Sequence, residues 1–259
     1  MTTPEGPPTL VLDGAGGATL TLNRARHLNR LHREDLLALQ AHITQLRHDT
    51  SLRVVVITGR GRLFCAGFNL QELGQGDAAS QDPHLFEHTV AMLEALPVPT
   101  IARLNGGVFG GATDLALACD FRVGVAGMEL RMPAAHLGLH YYASGLRRYV
   151  SRLGLPAAKR LFLLAETLGG EELLRLGYLD ALAADLPALD AQVQALAASL
   201  RAGAPLALRG MKLSLDEIAR GEFDPARVRE REAACAASAD LQEGLAAFAA
   251  RRLPQFKGR

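Results

Sequence analysis

Gly110-Gly111-Ala112-Thr113-Asp114 sets two glycines one helical turn ahead of a carboxylate, at what reads as a helix entrance. Glycine lets a ligand approach the backbone, and the first N–H groups of a helix have no partner within it. Gly111 and Asp114 share a helix face by their spacing, so an anion-stabilising N–H and a proton-transfer carboxylate could serve one reacting atom. Alone, the stretch fits a packing turn with a solvated N-terminal Asp better. Two further segments give it context: Leu63-Phe64-Cys65-Ala66-Gly67-Phe68-Asn69-Leu70, and Pro97 to Gly106 leading into the glycine pair.

The elements that must carry these residues alternate. Leu10–Asp13 and Ala18–Leu22 flank Gly14-Ala15-Gly16-Gly17 as a hairpin, and Leu36, Leu39, Ile43 and Leu46 repeat at helical spacing. Arg53–Thr58, Thr100–Leu104 and Phe121–Val125 read as strands, with helices over Leu85–Leu96 and Thr113–Ala118 between them. This pattern predicts an α/β core. After about Gly145 the pattern predicts helices only: Leu189, Val193, Leu196 and Leu200 mark one, and Pro205, Pro225 and Pro254 punctuate others. Gly74–Pro83 is the expected mobile loop, and Cys119-Asp120 reads as a helix end entering a strand.

Composition narrows the function classes. A net charge of +1 over 259 residues gives no basic footprint for nucleic acid or an anionic membrane. Cys65, Cys119 and Cys235 lack metal-type spacing, and no apolar run approaches the ~20 residues of a membrane span. Met1–Pro8 shows no signal-peptide pattern, so a cytoplasmic location is expected. The sequence contains no G-x-x-x-x-G-K-[ST], H-E-x-x-H, C-x-x-C or G-x-S-x-G motif, and no metal site is expected.

Taken together, the motifs resemble the crotonase superfamily, which includes enoyl-CoA hydratases and isomerases. The likeness runs from Leu22-Asn23-Arg24 through Ile57-Thr58-Gly59, Phe64-Cys65-Ala66-Gly67, Asn105-Gly106 and Ala118-Cys119-Asp120. It resumes at Pro133–Gly138, Gly177-Tyr178-Leu179-Asp180 and Phe248–Phe256, so it covers nearly the whole chain. The resemblance implies an α/β crotonase/ClpP-like fold of repeated β-β-α units, here residues 1–195, and a C-terminal helical trimerisation region, residues 196–259. It further implies a homotrimer or a hexamer built as a dimer of trimers. The substrate would be an acyl-CoA thioester, with coenzyme A part of the substrate and no separate cofactor.

By position, the resemblance makes the N–H groups of Phe68 and Gly111 an oxyanion hole for a thioester enolate, with Asp114 as acid/base. Arg26, Ala66, Phe248 and Arg251 fall at CoA-binding positions, the last two reaching a neighbouring subunit's ligand. The catalytic side chains depart from the family pattern. Hydratases place glutamates at the positions of Asp114 and Ala134, so two-glutamate hydration lacks one group here. Such a loss costs ~10²–10⁴-fold. The usual Gly-x-x-Pro-Gly-x-Gly-Gly reads Gly138-Leu139-His140-Tyr141-Tyr142-Ala143-Ser144-Gly145.

Dienoyl-CoA isomerases carry Asp at position 114, but their other acids match Ala134 and Tyr142. The nucleophilic Asp of chlorobenzoyl-CoA dehalogenases also matches Tyr142, which excludes that route. Tyr141, Tyr142, His136 and His140 are candidate second groups. Methylmalonyl-CoA decarboxylases carry a Tyr at the position of Tyr141, which makes a lyase of that kind the alternative reaction. A non-catalytic CoA-ester-binding protein is the alternative of another class.

Overall fold

Short runs of aliphatic and β-branched residues build the main sheet of the computed structural model, which describes residues 4–72, 82 and 84–259. β1 (Thr9–Leu12) and β2 (Gly17–Leu22) form the expected antiparallel hairpin. Asp13 Oδ1 closes its turn by accepting from the N–H groups of Ala15 and Gly17, each at 2.8 Å. β3 (Val54–Gly59) and β4 (Thr100–Leu104) follow in parallel. β5 (Val108–Phe109) leaves for a second sheet, while β6 (Phe121–Val125) rejoins the first. The second sheet is completed by β7 (Glu129–Arg131) and β8 (Leu168–Gly169). β9 (Ala181–Ala183) ends the first, whose order is β1-β2-β3-β4-β6-β9.

Central parallel strands are covered on both faces, which is why Val54-Val55-Val56-Ile57 is continuously apolar rather than alternating. α1 (Arg33–His48) packs on α2 (Leu85–Glu94), burying the expected Leu36, Leu39, Ile43 and Leu46. α3 (Ala112–Leu117) follows β5 and is buried along its whole length. The Tyr178 hydroxyl donates to Thr113 O at 2.7 Å, and the Tyr149 and Thr113 hydroxyls are hydrogen-bonded. Asp120 joins α3 to β6 as expected, accepting from Thr100 N–H (2.7 Å) and Oγ1 (2.9 Å).

α4 (Ala143–Lys159) breaks at Gly154, where φ is 77°. α5 (Gly170–Arg175), α6 (Leu186–Arg201), α7 (Pro205–Arg220), α8 (Pro225–Ala236) and α9 (Ala239–Ala249) complete the chain. Pro205 and Pro225 stand in the first turns of α7 and α8, where a missing N–H costs no helix bond. Among the described residues no helix is long and apolar enough to cross a membrane.

One expectation changes. Strands do return after Gly145: β8 and β9 are too short for a period to show, and β9 pairs in parallel with β6. The expected boundary at 195/196 falls within α6, which packs on β3, β4, β6 and β9. The Gly74–Pro83 segment lies, apart from Asp82, outside the described residues.

Candidate active site

Two loops bring the glycine motifs together. The N–H of Phe109 donates to Cys65 O at 3.0 Å, and Cys65 bridges Val108, so the chain after β3 runs beside β5. Gly67 has φ 93°, and a Cβ there would lie 2.7 Å from Phe109 O and 3.4 Å from Gly111 N. Only glycine accommodates both the dihedral and the approach. Gly111 is the N-cap of α3 and faces Phe86, whose ring would stand 2.7 Å from a Cβ. Among the described residues, no protein acceptor receives the N–H of Phe68 or of Gly111. Two backbone donors on facing loops therefore remain available to a ligand.

They border a cavity of about 450 Å³ with a mainly apolar wall. Phe86 tilts against Phe68 and against Tyr142, with centroids 6.1 Å apart in each pair. Tyr141 and Tyr142 stack at 4.2 Å, and Tyr141 also meets Phe162 at 5.1 Å. Ala66 lines the same space, as does Ala134, whose methyl group offers no proton.

Asp114 is not in that wall. It is fully buried, and both carboxylate oxygens accept from Arg148 Nη1 at 2.7 Å. Oδ2 also accepts from the Tyr142 hydroxyl at 2.5 Å, and the Tyr141 hydroxyl donates to that of Tyr142 at 3.1 Å. The far edge of Arg148 donates to Glu94, Nε to Oε1 at 2.9 Å and Nη2 to Oε2 at 3.0 Å. Arg147 reaches Glu94 at 3.1 Å. A chain of groups thus runs Glu94–Arg148–Asp114–Tyr142–Tyr141, and only its phenol end meets the cavity.

This corrects the reading of Asp114 as a carboxylate in an apolar pocket. The face it shares with Gly111 turns toward α4, where a buried carboxylate finds the cation it requires. Burial opposes ionisation of Glu94, but the hydrogen bonds and charge of Arg148, with Arg152 and Arg147, hold its carboxyl down at about 2. Burial works against the Arg148 charge too, yet Asp114 and Glu94 keep it firmly protonated. Tyr142 is pushed far above the usual phenol range by burial, then by the charge and hydrogen bond of Asp114. Tyr141 is raised by burial and by the same carboxylate. Both phenols are neutral.

The remaining expected residues scatter. His140 lines the cavity with its Nδ1 2.8 Å from Tyr141 O, whereas His136 is exposed and outside the wall. Ala66 is held by its N–H to Leu28 O at 2.9 Å. Arg26, Phe248 and Arg251 are exposed and do not line the cavity. Sequence reasoning missed Phe86 and Glu87 on α2, which do line it, and Arg148 behind it. A signal existed for Arg148: it precedes Tyr149 and recurs as Arg152 one turn later, placing cations on a helix face that also carries a large aromatic neighbour.

The geometry agrees with what the chain is similar to. A family model described as enoyl-CoA hydratase/isomerase matches residues 14–259. The 2,3-dehydroadipyl-CoA hydratase of Escherichia coli K12 is 32% identical, over 93% of this chain and 94% of that protein. The enoyl-CoA isomerase/hydratase fer4 of Mycosarcoma maydis is 33% identical, over 93% of this chain and 92% of that protein. The crystal structure of an enoyl-CoA hydratase from Bacillus anthracis superposes with a TM-score of 0.88 at 28% identity, covering 98% of this chain and all (100%) of the other. With the crossover sheet, the paired glycine loops and this near-complete match, the chain belongs to the enoyl-CoA hydratase/isomerase family, the crotonase superfamily.

Proposed function

We propose that this enzyme binds an acyl- or enoyl-CoA thioester with its acyl chain in the aromatic cavity and stabilises the enolate formed at C2. The approach of Gly67 to Gly111 N carries the reading, because it brings Phe68 and Gly111, whose N–H groups have no protein acceptor among the described residues, to one apolar space. Donors fixed before the charge develops need no reorganisation, and one such donor is typically worth ~3 kcal/mol of barrier. An apolar wall strengthens them by excluding water. The relatives named for enoyl-CoA and dehydroadipyl-CoA chemistry support a CoA thioester as substrate.

Proton transfer at C2, without addition of water, is the reaction class these residues favour. Ala134 removes one acid–base group of the two-glutamate arrangement, and Asp114 is engaged by Arg148 behind the tyrosines. In this reading Asp114 is a positioning residue: it fixes the Tyr142 hydroxyl, which in turn receives that of Tyr141. A malonyl-type lyase using Tyr141 is less well supported. The Tyr141 proton is committed to Tyr142, and among the described lining residues there is no Lys or Arg to receive a second carboxylate.

Trimeric assembly belongs to the same proposal. Phe248 and Leu253 are 86% and 88% exposed, as suits residues that a neighbouring subunit covers. There Phe248 and Arg251 would reach its CoA. The test is deuterium uptake at C2 of hexanoyl-CoA in D₂O, followed by mass spectrometry beside a direct measurement of binding. Binding with C2 exchange is expected. Binding without exchange or conversion of enoyl-, dienoyl- or malonyl-type esters makes the protein a non-catalytic CoA-ester binder, and loss of carbon dioxide makes it a lyase.

A further inference from the structure

The cavity wall contains one carboxylate among the described residues, and it is not at either family acid position. Glu87 stands in the first turn of α2, next to Phe86, whose ring lies against Gly111 and tilts toward Phe68 and Tyr142. Residue 87 therefore borders the cavity that Phe68 and Gly111 also line. Its Oε1 accepts from Ser144 Oγ at 2.6 Å, and its Oε2 lies 3.3 Å from His84 Nδ1. Ser144 sits in the first turn of α4, directly after the Tyr141-Tyr142-Ala143 run, so the carboxylate is fixed at the tyrosine rim. The Ser144 hydrogen bond lowers the Glu87 carboxyl below its usual range, against a burial effect that raises it, and His84 adds to the lowering. Glu87 is ionised at neutral pH.

No other lining group fits the task as well. His84 is mostly exposed, and the His140 ring is turned to the neighbouring Tyr141 carbonyl. The phenols are neutral and hydrogen-bonded in series to Asp114. Glu87 is also the group that would repel a malonyl-type carboxylate.

We infer that Glu87 is the proton-carrying catalytic residue and that the reaction it serves is a 1,3-proton shift in a 3-enoyl-CoA, an inference that rests on the thioester-enolate reading above. The Glu87 carboxylate takes a proton from C2, and the C–H electron pair moves to the thioester oxygen held by Phe68 and Gly111. The resulting dienolate returns its electrons through C2=C3 and takes a proton at C4 from Glu87, whose carboxyl can exchange that proton with solvent in between. The double bond ends at C2–C3, Glu87 ends as the carboxylate, and neither water nor a second acid is consumed. Thus Ala134 is compatible with turnover, because one carboxylate that both removes and returns a proton suffices.

The test compares wild type, Glu87→Gln and Glu87→Asp on 3-hexenoyl-CoA, measuring 2-hexenoyl-CoA formation, C2 deuterium uptake, ester binding and Tm. Glu87→Gln keeps an oxygen for Ser144 and should lower isomerisation and exchange together by ~10²–10⁴-fold, the range for one positioned acid–base group. Its ester Kd and Tm should stay at wild-type values, which separates proton transfer from a merely structural tie between α2 and α4. Glu87→Asp retains a carboxylate and should recover part of the rate. A Glu87→Gln enzyme that isomerises and exchanges at close to the wild-type rate overturns the role of Glu87 while leaving the enolate reading intact. A wild-type protein that binds the ester but neither exchanges nor isomerises it overturns both.

Discussion

The two donor loops and the charged cluster behind them use opposite means of fixing a group in space. In the proposed reading the backbone N–H groups of Phe68 and Gly111 are the functional groups, and small residues are required at Gly67 and Gly111 because neighbouring atoms come within 2.7 Å of any added Cβ. At Asp114 the functional group is a side chain, and its environment is set by Arg148 and Glu94, contributed by other helices. Backbone sites leave their constraint in the local sequence, whereas side-chain sites take their meaning from partners far along the chain. That is why the five-residue motif shows Gly111 at the cavity but does not show the Arg148 that Asp114 meets.

The strongest way to break the contrast is to remove the cation. Arg148→Met leaves Asp114 and Glu94 buried without their shared partner, and such a loss costs about 3–5 kcal/mol. Thermal melting should show Tm lowered by on the order of 10 °C for a chain this size. A melting curve matching wild type would show that the cluster is solvated rather than buried. Replacing the whole triad with apolar residues would be a different experiment, since removing every charge can be neutral or stabilising.

Gly67→Ala tests the other region. The φ of 93° and the nearby Phe109 O both oppose a methyl group, so the loop must shift and take the Phe68 N–H with it. Misplacing one oxyanion donor should lower kcat for C2 exchange by ~10²–10³-fold. Strain of ~1–3 kcal/mol should also appear in the melt. Activity close to wild type would remove Phe68 from the site.

The fold was legible because its strands are short apolar runs separated by helices with apolar periodicity. β3, β4 and β6 and the helices α1–α3 lie within a few residues of their expected places. β8 and β9 were invisible because two or three residues carry no period, and Ala181-Leu182-Ala183 is as good a helix fragment as a strand. The donors at Phe68 and Gly111 were expected from position, and the tyrosines were expected at the cavity, where they stand. Glu87 was not, because a lone Glu in a first helical turn matches the ordinary preference for acids there. Its distinction is the cavity it faces and the Ser144 hydroxyl it accepts from, both set by tertiary packing.

Acid provides a graded probe of the buried cluster. The Glu94 carboxyl is held at about 2 against an ordinary 4.5, so the folded state binds its proton more weakly than the unfolded chain does. The stabilisation is therefore complete above about pH 4.5 and is lost as pH falls toward 2, amounting to on the order of 3 kcal/mol. Stability measured by urea unfolding should fall across that window. Glu94→Gln should flatten this part of the profile, at a lower overall stability because Arg148 loses an ionised partner. An unchanged slope in Glu94→Gln would move the acid sensitivity to other carboxylates.

The finest test separates Asp114 as a positioning group from Asp114 as the proton carrier. Tyr142→Phe removes the hydroxyl between the carboxylate and the cavity but leaves the Arg148 pair in place. If Asp114 only orients Tyr142, the loss is that of one buried hydrogen bond, about 1–3 kcal/mol in stability, because the carboxylate keeps Arg148. The rate should then fall far less than in Glu87→Gln, since Tyr142 neither gives nor takes the proton. If Asp114 instead exchanges protons through the two hydroxyls, Tyr142→Phe cuts the path and should match Glu87→Gln in its effect on C2 exchange. Comparing those two exchange rates at one pH, with ester binding measured alongside, decides whether the charged cluster supports the cavity or acts in it.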